Sequence, residues 1–158
     1  MTPRIDFQNI PADAVKAMYA LEGYVRKSGI ELSLLELIKM RASQINGCAY
    51  CLDMHSKDAR AAGETEQRLY ALNAWRETPF FSDRERAALE WAEAITLISQ
   101  GHAPDDIYMR VREEFSEEET IVLTFAIVTI NSWNRLAIAM RSVPGTYEPP
   151  ARKPQDHA

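Results

Sequence analysis

Three times the chain places a serine three residues ahead of a glutamate at the head of an apolar-patterned stretch: Ser33 with Glu36, Ser82 with Glu85, and Ser116 with Glu119. In that spacing the hydroxyl accepts from a free backbone N–H of the first turn. The carboxylate reaches back to the N–H of the serine, so each pair predicts a helix start. The spaces between are punctuated as helix ends. Residues 13–28 carry Ala14, Met18, Leu21 and Val25 at helical spacing and stop at Gly29. The helix opened by Ser33 sets Leu35, Ile38, Ala42 and Ile45 on one face and breaks at Asn46-Gly47. Helices are expected next over 48–62, with Gly63 as the stop, and over 65–75. One from Ser82 sets Ala88, Trp91, Ala92, Ile95 and Ile98 on one face and ends at Gly101, and another runs from Pro104 to about Glu114.

The stretch after Ser116 is the ambiguous one. Residues 120–130 are rich in β-branched side chains and fit a buried strand by composition. The helical start signal and the absence of a turn before Met140 assign it to a helix, all-α with the rest. Apolar on most sides, it is expected in the middle of the domain or in a subunit interface. Val143-Pro144-Gly145 ends it. The domain is therefore expected over 1–143. Residues 144–158, with four of the eight prolines, are expected as a polar tail, mobile or laid on a neighbouring subunit.

At 158 residues, 46% apolar and 26% charged, the chain can bury a core without disulfide staples. The net charge of -5, with no basic stripe, disfavours a nucleic-acid binder. No run of 18 apolar residues suggests a membrane span, and Met1 to Ile10 lacks the apolar centre of a signal peptide. A cytoplasmic protein is expected, with its thiols kept reduced.

The informative stretch is Cys48-Ala49-Tyr50-Cys51 followed by His55. On a helix, positions 48, 51 and 55 share one stripe. Both cysteines fall in the first turn, where free N–H groups and the helix dipole favour a thiolate. A pair at this spacing supports two-electron redox chemistry, one sulfur attacking and the other displacing the product. His55 can take the thiol proton. Two other readings stand beside it: two small buried apolar residues, or a metal site of Cys48, Cys51 and His55 with Glu36 as fourth ligand. The metal site lacks a second knuckle, since His102 and His157 have no suitable spacing. Glu36 is claimed first by its capping box.

A glutamate twelve positions before the first cysteine of a CxxC, with a histidine four after the second, resembles the alkylhydroperoxidase AhpD core of the carboxymuconolactone decarboxylase-like superfamily. The resemblance covers residues 34–63, LLELIKMRASQINGCAYCLDMHSKDARAAG, and extends less specifically to residues 130–136, INSWNRL. It implies a compact all-α AhpD-like domain of about six to seven helices. It also implies a thiol peroxidase. Cys51 would attack the peroxide and become a sulfenic acid, Cys48 would close a disulfide with it, and His55 and Glu36 would relay protons. The implied partners are a hydroperoxide substrate and a dithiol reductant protein, lipoylated or thioredoxin-like, in a homo-oligomer (trimer or hexamer). No cofactor and no metal are implied.

Tyr50 departs from the CxHC of the best-known peroxidases, and a phenol is a poor base at neutral pH. Decarboxylases of the superfamily generally lack the CxxC, which counts against decarboxylation. Trp133 and Arg135 are expected as ordinary packing and surface residues as readily as site residues. The rival functions are a protein thiol-disulfide oxidoreductase and a non-enzymatic redox-sensing oligomer.

Overall fold

A computed structural model describes residues 2–6 and 9–150. Eight α-helices and one short 3-10 turn account for its regular structure: α1 Ala12–Arg26, α2 Leu32–Asn46, α3 Ala49–Ala61, α4 Glu66–Ala71, α5 Asp83–Thr96, α6 Ile98–Gly101, α7 Asp105–Glu114 and α8 Glu117–Met140, with the 3-10 turn at Leu72–Glu77 after α4. The described residues contain no strand, as an all-α fold requires.

Two of the three expected capping boxes form. Ser82 Oγ accepts from Glu85 N at 3.2 Å, while Glu85 Oε2 accepts from Ser82 N at 2.8 Å. Ser116 and Glu119 repeat this at 3.1 and 2.7 Å. The third does not form. Helix α2 starts two residues earlier than expected, with Glu31 rather than Ser33 at the cap and no side chain bonding the first turn. Ser33 then lies inside the helix, and the Glu36 carboxylate is turned away from the backbone toward Lys39 and His55. The helix expected from Ser82 to Gly101 is divided at Leu97 (φ -98°, ψ 35°) into α5 and α6. The helix expected over 65–75 is likewise α4 plus the 3-10 turn, with Ala74 off helical geometry (φ -115°, ψ 33°).

Helix α2 is the hub, packed against α3, α5 and α8. It buries Leu34, Leu35, Leu37, Ile38, Met40 and Ala42, and unusually also Lys39 and Ser43. The β-branched α8 is helical, opened by its capping box and held by its buried face, and its threonine hydroxyls are satisfied within the helix. The Thr120, Thr124 and Thr129 hydroxyls donate to the carbonyls four residues back, at 2.8, 2.8 and 2.7 Å. Thr124 also accepts from the Trp91 indole at 3.0 Å. By length and composition α8 reaches what a membrane span needs. Here it is a core helix, with Val122, Leu123, Ala126, Ile127 and Ile130 buried in the domain. Its opposite side leaves Ile121, Phe125 and Val128 exposed, with Tyr24 of α1 edge-on to Phe125 at 6.0 Å.

The first residues after α8 return to α3. Gly145 N donates to Asp53 Oδ2 at 2.9 Å, Lys57 Nζ to the Tyr147 carbonyl at 2.9 Å, and Tyr147 Oη to Asp58 Oδ1 at 2.7 Å. This part of the expected tail lies on its own chain; residues 151–158 are outside the described residues.

Candidate active site

Gly47 ends α2 in the left-handed region (φ 68°), a conformation glycine adopts without a Cβ penalty. The chain reverses there and Cys48 caps α3, its Sγ accepting from Cys51 N at 3.4 Å. Both sulfurs sit within the core cluster of Ala42 and Ile130, each residue 1% exposed. One turn on, His55 is also buried, and its Nδ1 lies 2.8 Å from Glu36 Oε2. The stripe of 48, 51 and 55 thus forms as expected, and α2 brings Glu36 to it.

The two thiols titrate as a pair. The hydrogen bond from Cys51 pulls the Cys48 thiol down to about 7 against its burial, helped by backbone N–H groups and the Asn134 amide. The same bond, with burial, pushes Cys51 up. One proton therefore leaves the pair near neutrality and the other stays. Asn134, fully buried on α8, is fixed by Ser43 Oγ at 3.0 Å and Asn46 Nδ2 at 2.9 Å.

Behind His55 lies a buried charge chain. Lys39 Nζ donates to Glu22 Oε1 at 2.6 Å and to Glu36 Oε1 at 3.2 Å. Burial pushes the Glu36 carboxyl up, but His55 and Lys39 outweigh it and hold it below the ordinary carboxylate range. Burial likewise opposes the Lys39 charge, and Glu36 and Glu22 raise it overall. Glu36 is therefore an anion, and His55 donates to it through Nδ1.

These groups open on a cavity of about 240 Å³. Cys51, Tyr50, His55 and Glu36 line it, and Cys48 does not. Met54, Trp133, Leu136 and Met140 supply apolar wall, and Tyr19 packs on Trp133 with ring centroids 5.5 Å apart. Trp133 is thus a site residue, whereas Arg135 bonds its own helix at Asn131 Oδ1, 2.8 Å away. Glu36, His55 and Asp58 offer atoms within 4.8 Å of one another, close enough to share an ion, but the two sulfurs are outside that set. Glu36 and His55 already hold each other, and Asp58 holds Tyr147.

Residues missed in the sequence are Glu22, Lys39, Asp58, Asn134 and Tyr147. Lys39 and Asp58 were findable, lying three after Glu36 and three after His55 on the same helix faces. Glu22 and Tyr147 come from remote segments with no local signal.

The carboxymuconolactone decarboxylase family model matches residues 12–94, which carry Glu22 and Glu36 through His55 and on into α5. The chain belongs to this family. Uncharacterized protein YdfG of Bacillus subtilis is 50% identical over 140 residues, covering 89% of this chain and 95% of YdfG. Among solved structures, ATU0492 of Agrobacterium tumefaciens, a protein of unknown function assigned to antioxidant defence as AhpD, superposes with a TM-score of 0.89. It is 44% identical and covers 92% of this chain and 100% of that one. The debrominase Bmp8 aligns with a TM-score of 0.76 at 26% identity, over 85% of this chain and 72% of that one. The decarboxylase family member described here is AhpD-like in fold, and its Cys51, His55 and Glu36 line one cavity.

Proposed function

We propose that this AhpD-like protein is a thiol-dependent hydroperoxide reductase. The observation that carries the reading is that Cys51, alone of the two cysteines, lines the cavity that His55 and Glu36 also line. In the resting pair one proton is shared between the sulfurs. As a hydroperoxide enters, that proton passes to Cys48. The Cys51 thiolate then attacks the terminal oxygen, the O–O bond breaks, and the sulfur is oxidised by two electrons to a sulfenic acid. The departing alkoxide takes a proton that solvent supplies by way of the His55 imidazole, while the ionised Glu36 holds the ring in place, and it leaves as an alcohol. Cys48 attacks Cys51, the S–O bond breaks, and the hydroxyl leaves with the Cys48 proton as water. A disulfide remains, and a dithiol reductant returns both electrons.

Burial of both sulfurs supports a small substrate over a folded protein disulfide, and it favours a lipoylated reductant, whose slender arm can enter the cavity, over a thioredoxin-like surface. A homo-oligomer, trimer or hexamer, is part of this reading; the exposed Ile121, Phe125 and Val128 of α8 supply apolar surface for it. A cytoplasmic setting, which would keep both thiols reduced, belongs to the same reading. The aromatic wall of Tyr19 and Trp133, with the likeness to Bmp8, supports a second reading in which the same dithiol reduces a halogenated aromatic.

The test is the Cys48→Ser variant with one equivalent of cumene hydroperoxide. A sulfenic acid trapped on Cys51 is the expected product. Its absence from Cys51 refutes the assignment of roles, and turnover of a bromopyrrole instead establishes the second reading.

A further inference from the structure

The charged side chains lining the cavity are unequal in one respect. Glu22 and Glu36 are bound to Lys39, Glu36 also to His55, and Asp58 to the Tyr147 hydroxyl. Arg26, the last residue of α1, lines the same cavity and is exposed. Among the described residues it makes no hydrogen bond and no ion pair. Its charge acts on the Tyr147 hydroxyl, and Tyr147 lines the same cavity. Among the described residues the cavity thus combines a cysteine of the redox pair, an apolar and aromatic wall, and one exposed cation without a partner.

We propose that Arg26 recognises a carboxylate, and that the substrate is an organic hydroperoxide whose alkyl or aryl body carries a carboxylate end. A guanidinium holds a carboxylate through two parallel N–H donors, and among the described residues no acidic side chain is paired with this one. The wall of Trp133, Leu136 and Met54 takes the apolar body. Asp58 and Glu36 deeper inside repel a carboxylate, so the ligand enters with its anionic end at the rim and its other end toward Cys51. The hydroperoxide part of this substrate class rests on the peroxidase reading; the carboxylate part is a property of the cavity and is tested without turnover.

The experiment is calorimetric binding of 4-phenylbutyrate and of neutral 4-phenylbutanol to the reduced protein and to its Arg26→Gln and Arg26→Lys variants. The carboxylate should bind about tenfold tighter than the alcohol to the parent protein, or about 1.4 kcal/mol. That preference should vanish in Arg26→Gln and return in part in Arg26→Lys. Equal affinities in the parent, no binding of either compound, or a preference that survives Arg26→Gln would each overturn the proposal. With hydroperoxides, Arg26→Gln should lower the kcat/KM ratio of a carboxylated over a neutral substrate about tenfold; an unchanged ratio also overturns it. Failure of the parent protein to consume any hydroperoxide sinks the peroxidase reading, while the calorimetry still decides the carboxylate site.

Discussion

Glu36 Oε2 lies 2.8 Å from His55 Nδ1, tying α2 to α3 at the cavity that Cys51 faces. Because Lys39 and His55 keep Glu36 ionised, the carboxylate fixes the tautomer of the imidazole and leaves Nε2 as its free nitrogen. Glu36→Gln keeps the shape and removes the charge. The rate of thiol loss with an organic hydroperoxide should fall about 100-fold, within the usual range for a positioned proton carrier. An unchanged rate would reduce the pair to a structural contact.

The shared proton of the cysteines predicts a pH profile. Since the first thiol titrates at about 7, alkylation of the pair should rise with pH through that value. A free cysteine would show its inflection near 8.5. Mass-resolved iodoacetamide labelling across pH 5 to 10 reads this directly, and an inflection at the free-thiol value would contradict the hydrogen-bonded pair.

Lys39 is 3% exposed between Glu22 and Glu36. Lys39→Met removes the cation, leaving Glu22 without its partner and Glu36 with His55 alone, which should cost about 3 kcal/mol in urea unfolding. The pH dependence has two signs. The carboxyl of Glu36 is held below its unfolded value, so its stabilisation is present above about pH 4.3 and is lost as pH falls through the lower folded value. Lys39 is raised, so its stabilisation is complete below about pH 10.4 and is lost as pH rises through the folded value. Lys39→Met should flatten both limbs of the stability curve.

The capping boxes separate sequence spacing from structure. Ser82→Ala and Ser116→Ala each remove an N-cap hydroxyl and should cost about 1 kcal/mol. Ser33→Ala, at an exposed position inside α2, should change stability by less than about 0.5 kcal/mol. A large loss at Ser33 would contradict the observed start of α2.

Local information was enough wherever the partners are near in sequence. The α8 assignment was readable despite its β-branched residues, because Ser116 and Glu119 mark its start and no turn signal interrupts it before Met140. The Cys48, Cys51 and His55 stripe followed from helical spacing alone. Ser33 and Glu36 had the right spacing for a cap, but a tertiary demand outweighed it. Glu36 gains His55 and Lys39 inside the protein, stronger partners than an exposed backbone N–H. Glu22, Arg26 and Tyr147 reach the cavity from α1 and from the segment after α8, and only the packing of those segments on α2 and α3 reveals them.

The most direct test of the account is stopped-flow mixing of the fully reduced protein with an organic hydroperoxide, following thiol loss and the Cys48–Cys51 disulfide. The account predicts rapid, stoichiometric disulfide formation that depends on Cys51. A reaction no faster than that of a free thiol would contradict it.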